Sequence, residues 1–267
     1  KKLNMSHKNL SVKIKIPKLL KDKLSNKRIN QIYKRFEKSL IIDENFAVAV
    51  SGGPDSLALA FLAKVYSIKK KLNPKFFIVD HRLRKNSTRE AKAVKQNLKK
   101  CSINSEILTW KGTKPQKNIQ SIARNERYRL LFLRCNKFNI RNILIGHHQD
   151  DLIENFFIRM IRGSGLKGLI SLNKKSQVDN KYLLRPLLDH KKEDLIFLSK
   201  NVFNFYVDDP SNKEEKYLRI KIRKLIEELQ KNGLDKKKLF KTIKNLKCSN
   251  NVVNYYVNEN LRANSFF

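Results

Sequence analysis

The chain has 267 residues, and its 59 lysines and arginines against 24 aspartates and glutamates give a formal net charge of +35. With 40% hydrophobic and 31% charged residues, it is too apolar for a disordered protein and too polar for a membrane protein. No apolar run reaches the roughly 18 residues that a spanning helix needs, and no apolar signal segment lies near residue 1. We therefore expect a cytoplasmic protein that makes no membrane contact.

Short apolar runs alternate with longer segments of helical spacing along most of the chain. In chain order this pattern predicts a helix over 24–40, a strand over 46–50, a helix over 57–66, a strand over 76–79, a helix over 88–100, a strand over 107–110, a helix over 118–138, a strand over 142–145, a helix over 150–161 and a strand over 182–184. Such alternation is typical of a parallel sheet covered on both faces. We predict an α/β domain with an open, mainly parallel sheet over residues 24–215, preceded by a basic N-terminal extension, residues 1–23.

The pattern changes after Ser211. Residues 217–229 and 236–257 have the spacing of basic helices, with Gly233 between them, and we predict a small basic α-helical region over residues 216–267. A chain of this charge attracts polyanions through counterion release, although a lysine-rich compositional bias explains part of the excess. We therefore expect this region to contact nucleic acid.

A glycine turn, Ser51-Gly52-Gly53-Pro54-Asp55-Ser56, connects the first predicted strand to the next helix. Glycines let backbone amides approach a ligand, and the helix N-terminus adds partial positive charge. The turn is neither a Walker A loop nor a GxGxxG turn. A plain tight turn would use similar residues, but Asp80 and Gly146 also fall at predicted strand ends, where open α/β sheets bind ligands. The turn is thus predicted to bind phosphate.

The turn resembles the SGGxDS signature of the PP-loop ATP pyrophosphatases, and the later segments resemble those of the tRNA(Ile)-lysidine synthetases in that superfamily. In order, these segments are VDHRLR at 79–84, ARNERY at 123–128, GHHQDD at 146–151 with Glu154, RGSG at 162–165, RPLL at 185–188 and DPSN at 209–212. Asn155 replaces the usual Thr. In the terminal segment, 217–223, Ile220 replaces the usual Asn while Arg219 and Arg223 are retained. The resemblance covers about residues 46–225, and the chain is similar to a short form of the family.

The resemblance implies an adenine nucleotide alpha hydrolase-like fold and an ATP-dependent ligase. In this family the C2 carbonyl oxygen of the wobble cytidine of tRNA(Ile), which has a CAU anticodon, is adenylated. The amino group of lysine then displaces AMP, which gives lysidine and changes decoding from AUG to AUA. The implied cofactors are ATP and Mg²⁺, and the implied partners are tRNA(Ile) and free L-lysine. The sequence leaves the oligomeric state open.

The resemblance also implies roles for individual residues. Residues Ser51, Gly52, Gly53, Pro54, Asp55 and Ser56 would bind the nucleotide, and the implied catalytic residues are Asp55, Arg124, Arg127, His147, Asp151 and Glu154. Asp55 either faces Mg²⁺ or caps its helix. Arg124 and Arg127 either contact phosphate or belong to a solvated basic face. Asp151 and Glu154, three residues apart on one helix face, either hold the substrate lysine or Mg²⁺ or only stabilise the N-terminus of their helix through its dipole.

The histidines and the identity of the Mg²⁺ ligands are less constrained. Of the neighbours His147 and His148, one is expected to lie in the core and one to be a ligand, and we choose His147 as the ligand. His7 and His190 have no motif around them and are predicted to lie on the surface. The Mg²⁺ ligands are left open.

Other classes of protein explain part of the sequence. A PP-loop tRNA 2-thiolase would have the same loop but commonly uses cysteine pairs, and the 3 cysteines here, Cys101, Cys135 and Cys248, form no CxxC pair. A metal-dependent phosphoesterase could use the acidic and histidine residues at 80–81 and 147–151 as a two-metal ligand set, but it leaves the glycine turn unexplained. A non-catalytic RNA-binding protein would explain the charge but not the carboxylates at strand ends.

Overall fold

The computed structural model describes residues 17–113, 115–208 and 218–265. In chain order its elements are α1 (Lys18–Ser25), α2 (Lys27–Ser39), β1 (Phe46–Val50), α3 (Pro54–Lys70), β2 (Lys75–Asp80), α4 (Ser87–Lys100), β3 (Ser105–Thr109), α5 (Ile119–Lys137), β4 (Asn142–Leu144), α6 (Gln149–Ile161), α7 (Leu166–Leu169), β5 (Lys175–Val178), β6 (Lys181–Leu184), α8 (Lys192–Phe203), α9 (Leu218–Lys231) and α10 (Lys236–Asn264). All five strands predicted from the apolar runs are present.

The strands form one sheet in the order β3-β2-β1-β4-β6-β5. Every neighbouring pair is parallel except β5 with β6, so the predicted open, mainly parallel sheet is confirmed. In the centre, Val48 of β1 pairs with Phe76 of β2 on one side and Leu144 of β4 on the other. The chain moves outward from β1 to β3 and then returns to the other side of β1, which makes a topological switch point between β1 and β4. Ligands of open α/β sheets bind at the carboxyl ends of the strands at this point.

Helices cover both faces of the sheet because side chains of a strand alternate in direction. From β1, Phe46, Val48 and Val50 enter a core cluster that includes residues of α2, α3 and α8. Ala47 enters a second cluster on the opposite face, with Leu131 of α5. Helix α3 is buried along most of its length, which explains its nearly continuous apolar sequence.

The C-terminal helices pack on α6 rather than on the sheet. Ile222 and Ile226 of α9 and Ile243 of α10 form a third cluster with Phe156 and Phe157 of α6. The predicted helical region after the α/β fold is thus confirmed for residues 218–265, while the predicted start of its first helix at residue 217 lies outside the described residues. Within the described residues, no helix combines the length and the apolar character needed to cross a membrane.

Several predictions of local structure were wrong or incomplete. The single helix expected over 24–40 is two helices, separated at Asn26, whose side chain accepts hydrogen bonds from the backbone N–H groups of Arg28 and Ile29 and so caps α2. His190 is fully buried rather than on the surface, with its Nε2 atom 3.3 Å from the carbonyl oxygen of Ile32. His7 lies outside the described residues. The sequence analysis also did not predict α7, β5 or α8.

Candidate active site

The PP loop runs from the end of β1 into the first turn of α3. Gly52 has φ of +92°, and a Cβ atom there would lie 2.6 Å from Cγ2 of Val94, so only glycine fits this position. The Ser56 hydroxyl oxygen accepts hydrogen bonds from the backbone N–H groups of Ser51 and Gly52, each at 3.1 Å, and donates to the Gly53 carbonyl oxygen at 3.0 Å. Ser56 therefore holds the loop in shape. The backbone N–H groups of the first turn of α3 are the loop's natural anion-binding donors.

The strand on the other side of the switch point borders this loop. A Cβ atom on Gly146, which follows β4, would lie 3.3 Å from the backbone nitrogen of Ser56. The two chain segments thus meet at the carboxyl end of the sheet, as the positions of Gly146 and the glycine turn predicted. Residues after Gly146 are thereby brought to the edge of the PP loop.

His148 connects the PP loop to helix α6. Its Nε2 atom lies 3.6 Å from Oδ2 of Asp55 and 3.4 Å from Oδ2 of Asp151. Its Nδ1 atom accepts a hydrogen bond from the backbone N–H of Asp150, while Asp151 Oδ2 accepts one from the backbone N–H of His148, which together form a capping box. Burial lowers the pKa of His148, but the carboxylates of Asp55 and Asp151 outweigh it and the net pKa is raised. The sequence favours His147 as the ligand of the pair, whereas it is His148 that contacts Asp55, and sequence spacing does not predict this contact.

The acidic residues of α6 are paired with arginines of α9. Glu154, only 4% exposed, lies 2.9 Å from Nε of Arg219 and 2.6 Å from Nε of Arg223. Asp151 Oδ1 makes a looser contact of 3.7 Å with Arg219. Burial raises the pKa of Asp151, but His148, His147 and Arg219 outweigh it and lower the net pKa. Arg219 and Arg223, the two arginines of segment 217–223 that match the family pattern, therefore contact the predicted catalytic acids.

His147 lies beside a buried arginine. Nε of Arg185 donates a hydrogen bond to Nδ1 of His147 at 3.1 Å. Burial lowers the pKa of His147 to about 4; Asp151 opposes this shift, while Arg185, Arg219 and Arg124 reinforce it. The imidazole is therefore neutral at pH 7.

The two predicted arginines of α5 lie on its exposed surface near different strand ends. The Arg124 guanidinium lies 5.3 Å from the ring centroid of Tyr128 and close enough to lower the pKa of His147. Nε of Arg127 donates to Nε2 of His81 at 3.4 Å, at the end of β2. Burial, and after it the positive charge of Arg127, lowers the pKa of His81 to about 4. Arg127 is thus placed towards β2, while Arg124 is placed towards β4.

The donor atoms fit a single Mg²⁺ ion better than a two-metal centre. Oδ1 of Asp55 is buried and has no hydrogen-bond partner among the described residues, so its lone pairs remain available to a cation. The neighbouring strand end offers no second centre, because the Asp80 carboxylate accepts from the Thr88 hydroxyl at 2.7 Å and from the Arg82 N–H at 3.0 Å. Residues 17–113, 115–208 and 218–265 contain no group of three or more His, Cys, Asp or Glu side chains that could hold a metal ion. Mg²⁺ commonly needs only one or two protein carboxylates beside substrate phosphates.

Comparisons with known proteins agree with this geometry. A family model described as a PP-loop domain matches residues 21–229. The chain is 40% identical over 183 residues to a tRNA(Ile)-lysidine synthase of Orientia tsutsugamushi (strain Boryong), covering 68% of this chain and 41% of that protein. It is 35% identical over 208 residues to a tRNA(Ile)-lysidine synthase of Bradyrhizobium diazoefficiens, covering 77% of this chain and 58% of that protein. The chain thus spans about half the length of these relatives.

Among solved structures, the U34-tRNA thiolase NcsA from Methanococcus maripaludis with its [4Fe-4S] cluster matches with a TM-score of 0.68. It is 20% identical and covers 82% of this chain and 78% of that chain, a likeness that shows a shared fold alone. The resemblance to tRNA(Ile)-lysidine synthetases is confirmed by the identity to the curated relatives. Because the family model spans most of the sequence and includes both the loop and the acidic residues of α6, the chain belongs to the PP-loop domain family.

Proposed function

We propose that this protein ligates lysine to C2 of the wobble cytidine of tRNA(Ile) with a CAU anticodon, using ATP and giving lysidine, AMP and pyrophosphate. Membership in the PP-loop family implies ATP use. The observation that carries the proposal is the identity of 40% over 183 residues and 35% over 208 residues to two tRNA(Ile)-lysidine synthases. The PP-loop family match, residues 21–229, contains the loop, the histidine pair and the acidic residues. The geometry supports it, because these groups meet at one switch-point crevice.

In the first step, the C2 carbonyl oxygen of the cytidine attacks the α-phosphorus of ATP, and the bond to pyrophosphate breaks. The N-terminal amides of α3 would bind the pyrophosphate, and Asp55 would hold a Mg²⁺ ion through its unpartnered Oδ1 atom. When bound, that ion offsets negative charge on the leaving group. Arg124 and His147 border the same crevice and would contact the α-phosphate, while Arg127 would contact phosphate farther along towards β2.

In the second step, the ε-amino group of lysine attacks C2 and the C2–O bond to AMP breaks. The attacking amine must be neutral, so the ammonium gives one proton to solvent water before the attack. We propose that Asp151 holds the incoming ammonium, because its contact with Arg219 is the longest in the acidic cluster, at 3.7 Å. Glu154 already has two arginine partners, so its proposed part is to orient Arg219 and Arg223.

The chain would divide this work between its two regions. We assign catalysis to residues 24–215 and tRNA contact to the basic helices of residues 216–267, while residues 1–23 remain a proposed basic extension. The ligation draws on tRNA, ATP and free lysine, so we propose that the protein works in the cytoplasm.

A mass measurement tests the function directly. The protein is incubated with tRNA(Ile), ATP, Mg²⁺ and lysine, and the nucleosides of the digested tRNA are analysed for conversion of cytidine to lysidine. Pyrophosphate release is followed in parallel, with tRNA or lysine left out in turn. Formation of lysidine only when all components are present supports the proposal. Incorporation of sulfur, or hydrolysis of phosphoesters without lysidine, would contradict it.

A further inference from the structure

Arg185 is a buried cation whose position is fixed by the β5–β6 hairpin. Arg185 directly follows β6 in the chain, and the residue is only 6% exposed. One terminal nitrogen, Nη1, donates to the carbonyl oxygen of Asn173 and to the hydroxyl of Ser176, each at 2.9 Å. Its backbone N–H also donates to the carbonyl oxygen of Lys174 at 2.7 Å. The Asn173 carbonyl oxygen and the Ser176 hydroxyl thus orient the guanidinium before any ligand binds.

This guanidinium determines which nitrogen of His147 carries the proton. Arginine has only donor hydrogens and stays protonated in proteins, so the Nδ1 atom at 3.1 Å from Nε of Arg185 must be the acceptor. In a neutral imidazole the proton then lies on Nε2, since the hydrogen bond at one ring nitrogen sets the state of the other. The Nε2–H group makes no hydrogen bond to the described part of the chain.

The charges around His147 favour this neutral form on balance. Asp151 of α6 favours the imidazolium, whereas Arg185 after β6, Arg219 of α9 and Arg124 of α5 disfavour it, in addition to burial. A donor that carries no charge of its own suits a crevice where guanidiniums already supply positive charge. His147 directly follows Gly146, where an added Cβ would lie 3.3 Å from the backbone nitrogen of Ser56, so the backbone of His147 is next to the PP loop.

We propose that Arg185 is a positioning residue that holds His147 as the neutral Nε2–H tautomer, so that His147 presents a hydrogen-bond donor, and not a base, to an anionic oxygen in the crevice. The identity of that oxygen, on the α-phosphate or the adenylate, rests on the proposed function. The tautomer itself does not. A general base at this position is ruled out by the same geometry, because Nδ1 is occupied and Nε2 carries the proton.

Nitrogen NMR on histidine-labelled protein measures the tautomer without an activity assay. The His147 signals are assigned by their loss in His147→Gln. In the unsubstituted protein we expect one neutral form, with the proton on Nε2, from pH 5.5 to 8. A proton on Nδ1, or an imidazolium at pH 7, would overturn the proposal even if no Arg185 variant could be purified.

Variants of the pair then test the part played by Arg185. Arg185→Met keeps an unbranched side chain but removes the guanidinium donors, and we expect mixed tautomers and a pKa of His147 closer to its ordinary value. Arg185→Lys keeps a positive donor and should restore the Nε2–H form in part. Ser176→Ala removes only one of the hydrogen bonds that Arg185 donates. It is the matched control, and we expect it to leave the tautomer of His147 unchanged. A Met variant with the original tautomer would overturn the proposal.

Pyrophosphate release connects the tautomer to the reaction. We expect the Met variant to lose at least about 10-fold in kcat at pH 7, comparable to removing a group that orients a functional histidine. The loss should deepen below pH 6.5 and leave KM for lysine little changed, whereas the Lys variant should recover part of kcat. A tautomer change with unaltered kcat would show that His147 does not serve the reaction. An unsubstituted protein that releases no pyrophosphate would contradict the proposed function, while the NMR result would still decide the tautomer.

Discussion

At the scale of single residues, Asp55 has two oxygens in different surroundings. Oδ2 lies 3.6 Å from Nε2 of His148, whereas Oδ1 is buried without a partner among the described residues. A buried acceptor that is left unpaired costs free energy, so this atom is better explained by a cation that it binds during the reaction than by a structural role. His148 orients the Asp55 carboxylate, and the backbone of the PP loop fixes the position of Asp55.

We expect Asp55→Asn to abolish pyrophosphate release while leaving tRNA affinity nearly unchanged, because an amide cannot replace the negative charge that holds Mg²⁺. Pyrophosphate release and tRNA binding are measured on the same preparation. Asp43→Asn, the same change at an exposed residue, is the control for loss of one negative charge. Equal losses of activity and of tRNA affinity in Asp55→Asn would show that the loop does not bind the nucleotide.

His190 predicts a dependence of stability on pH. Burial, with Arg35 in support, lowers its pKa below the ordinary value, so the folded state disfavours the imidazolium. The stabilising contribution of the neutral ring is therefore present above about pH 6.5 and is lost as the pH falls below it, by at most about 1.4 kcal/mol per pH unit.

We expect the free energy of unfolding of His190→Gln to fall less between pH 7.5 and pH 5.5 than that of the unsubstituted protein. Glutamine cannot gain a proton in this range, while its amide N–H can still donate to the Ile32 carbonyl oxygen. Urea unfolding at both pH values gives the comparison, and His81 and His147 cancel because they titrate in both proteins. An identical fall would mean that His190 is protonated without cost.

Three histidines, His147, His148 and His190, show where residue-level prediction stops. The GHHQDD segment indicates that a histidine is functional, and the His148 ring does contact Asp55 of the PP loop, while the His147 ring contacts Arg185. Which ring meets Asp55 depends on the direction of each side chain at the end of β4, which spacing does not give. His190 is buried because α2 packs over it through Ile32, a contact between residues 158 positions apart.

At the scale of elements, the ion pairs of Glu154 attach α9 to α6. Glu154 accepts from Nε and Nη2 of Arg223 at 2.6 and 3.3 Å, in addition to its contact with Arg219. The carboxylate is nearly buried, whereas the two guanidiniums are partly exposed, with side chains 40% exposed for Arg219 and 31% for Arg223. Such charged hydrogen bonds stabilise more than surface pairs, because removing the carboxylate leaves its partners unpaired.

We expect Glu154→Gln to lower the free energy of unfolding by about 1.5–3 kcal/mol, the range for hydrogen bonds to charged groups. Glu259→Gln is the matched control: its side chain is 47% exposed and that of its partner Arg262 is 80% exposed, and such pairs contribute about 0–1 kcal/mol. Denaturant unfolding of both variants gives the comparison. If the two substitutions cost the same, α9 is held by its apolar residues alone.

Most of the strands could be predicted because burial on both faces leaves an uninterrupted apolar run. Strand β5, with the sequence KSQV, is largely exposed and has no such run, so its position depends on pairing with β6. Helix α8 did have a signal, since its buried residues Leu195, Leu198 and Val202 recur at helical spacing. The break at Asn26 has no clear signal in the sequence, because apolar residues continue on both sides of it.

At the scale of the whole molecule, the composition gives the excess of positive charge. It does not show which lysines form ion pairs within the protein and which are free to contact RNA. Lys236 lies 3.6 Å from Oδ1 of Asp150, next to the candidate active site, and is therefore a poor choice for a test of RNA contact. Lys237, Lys238 and Lys241, in the first turns of α10, are exposed. The far end of α10 differs, because Tyr255, Tyr256 and other apolar side chains are exposed there and few charges accompany them.

These exposed lysines separate tRNA binding from compositional bias. If Lys237, Lys238 and Lys241 contact phosphates, changing all three to Gln should weaken tRNA binding and flatten the slope of log K against log salt by about 2, since each contact adds roughly 0.7–0.9. Affinity for ATP without tRNA should not change, because α10 packs on α6 rather than on the PP loop. The matched control changes three exposed lysines of α4, Lys92, Lys95 and Lys99, to Gln, which removes the same net charge elsewhere. A similar flattening in both variants would mean that tRNA binding depends only on the total charge. No flattening in the α10 variant would show that these lysines are solvated and make no phosphate contact.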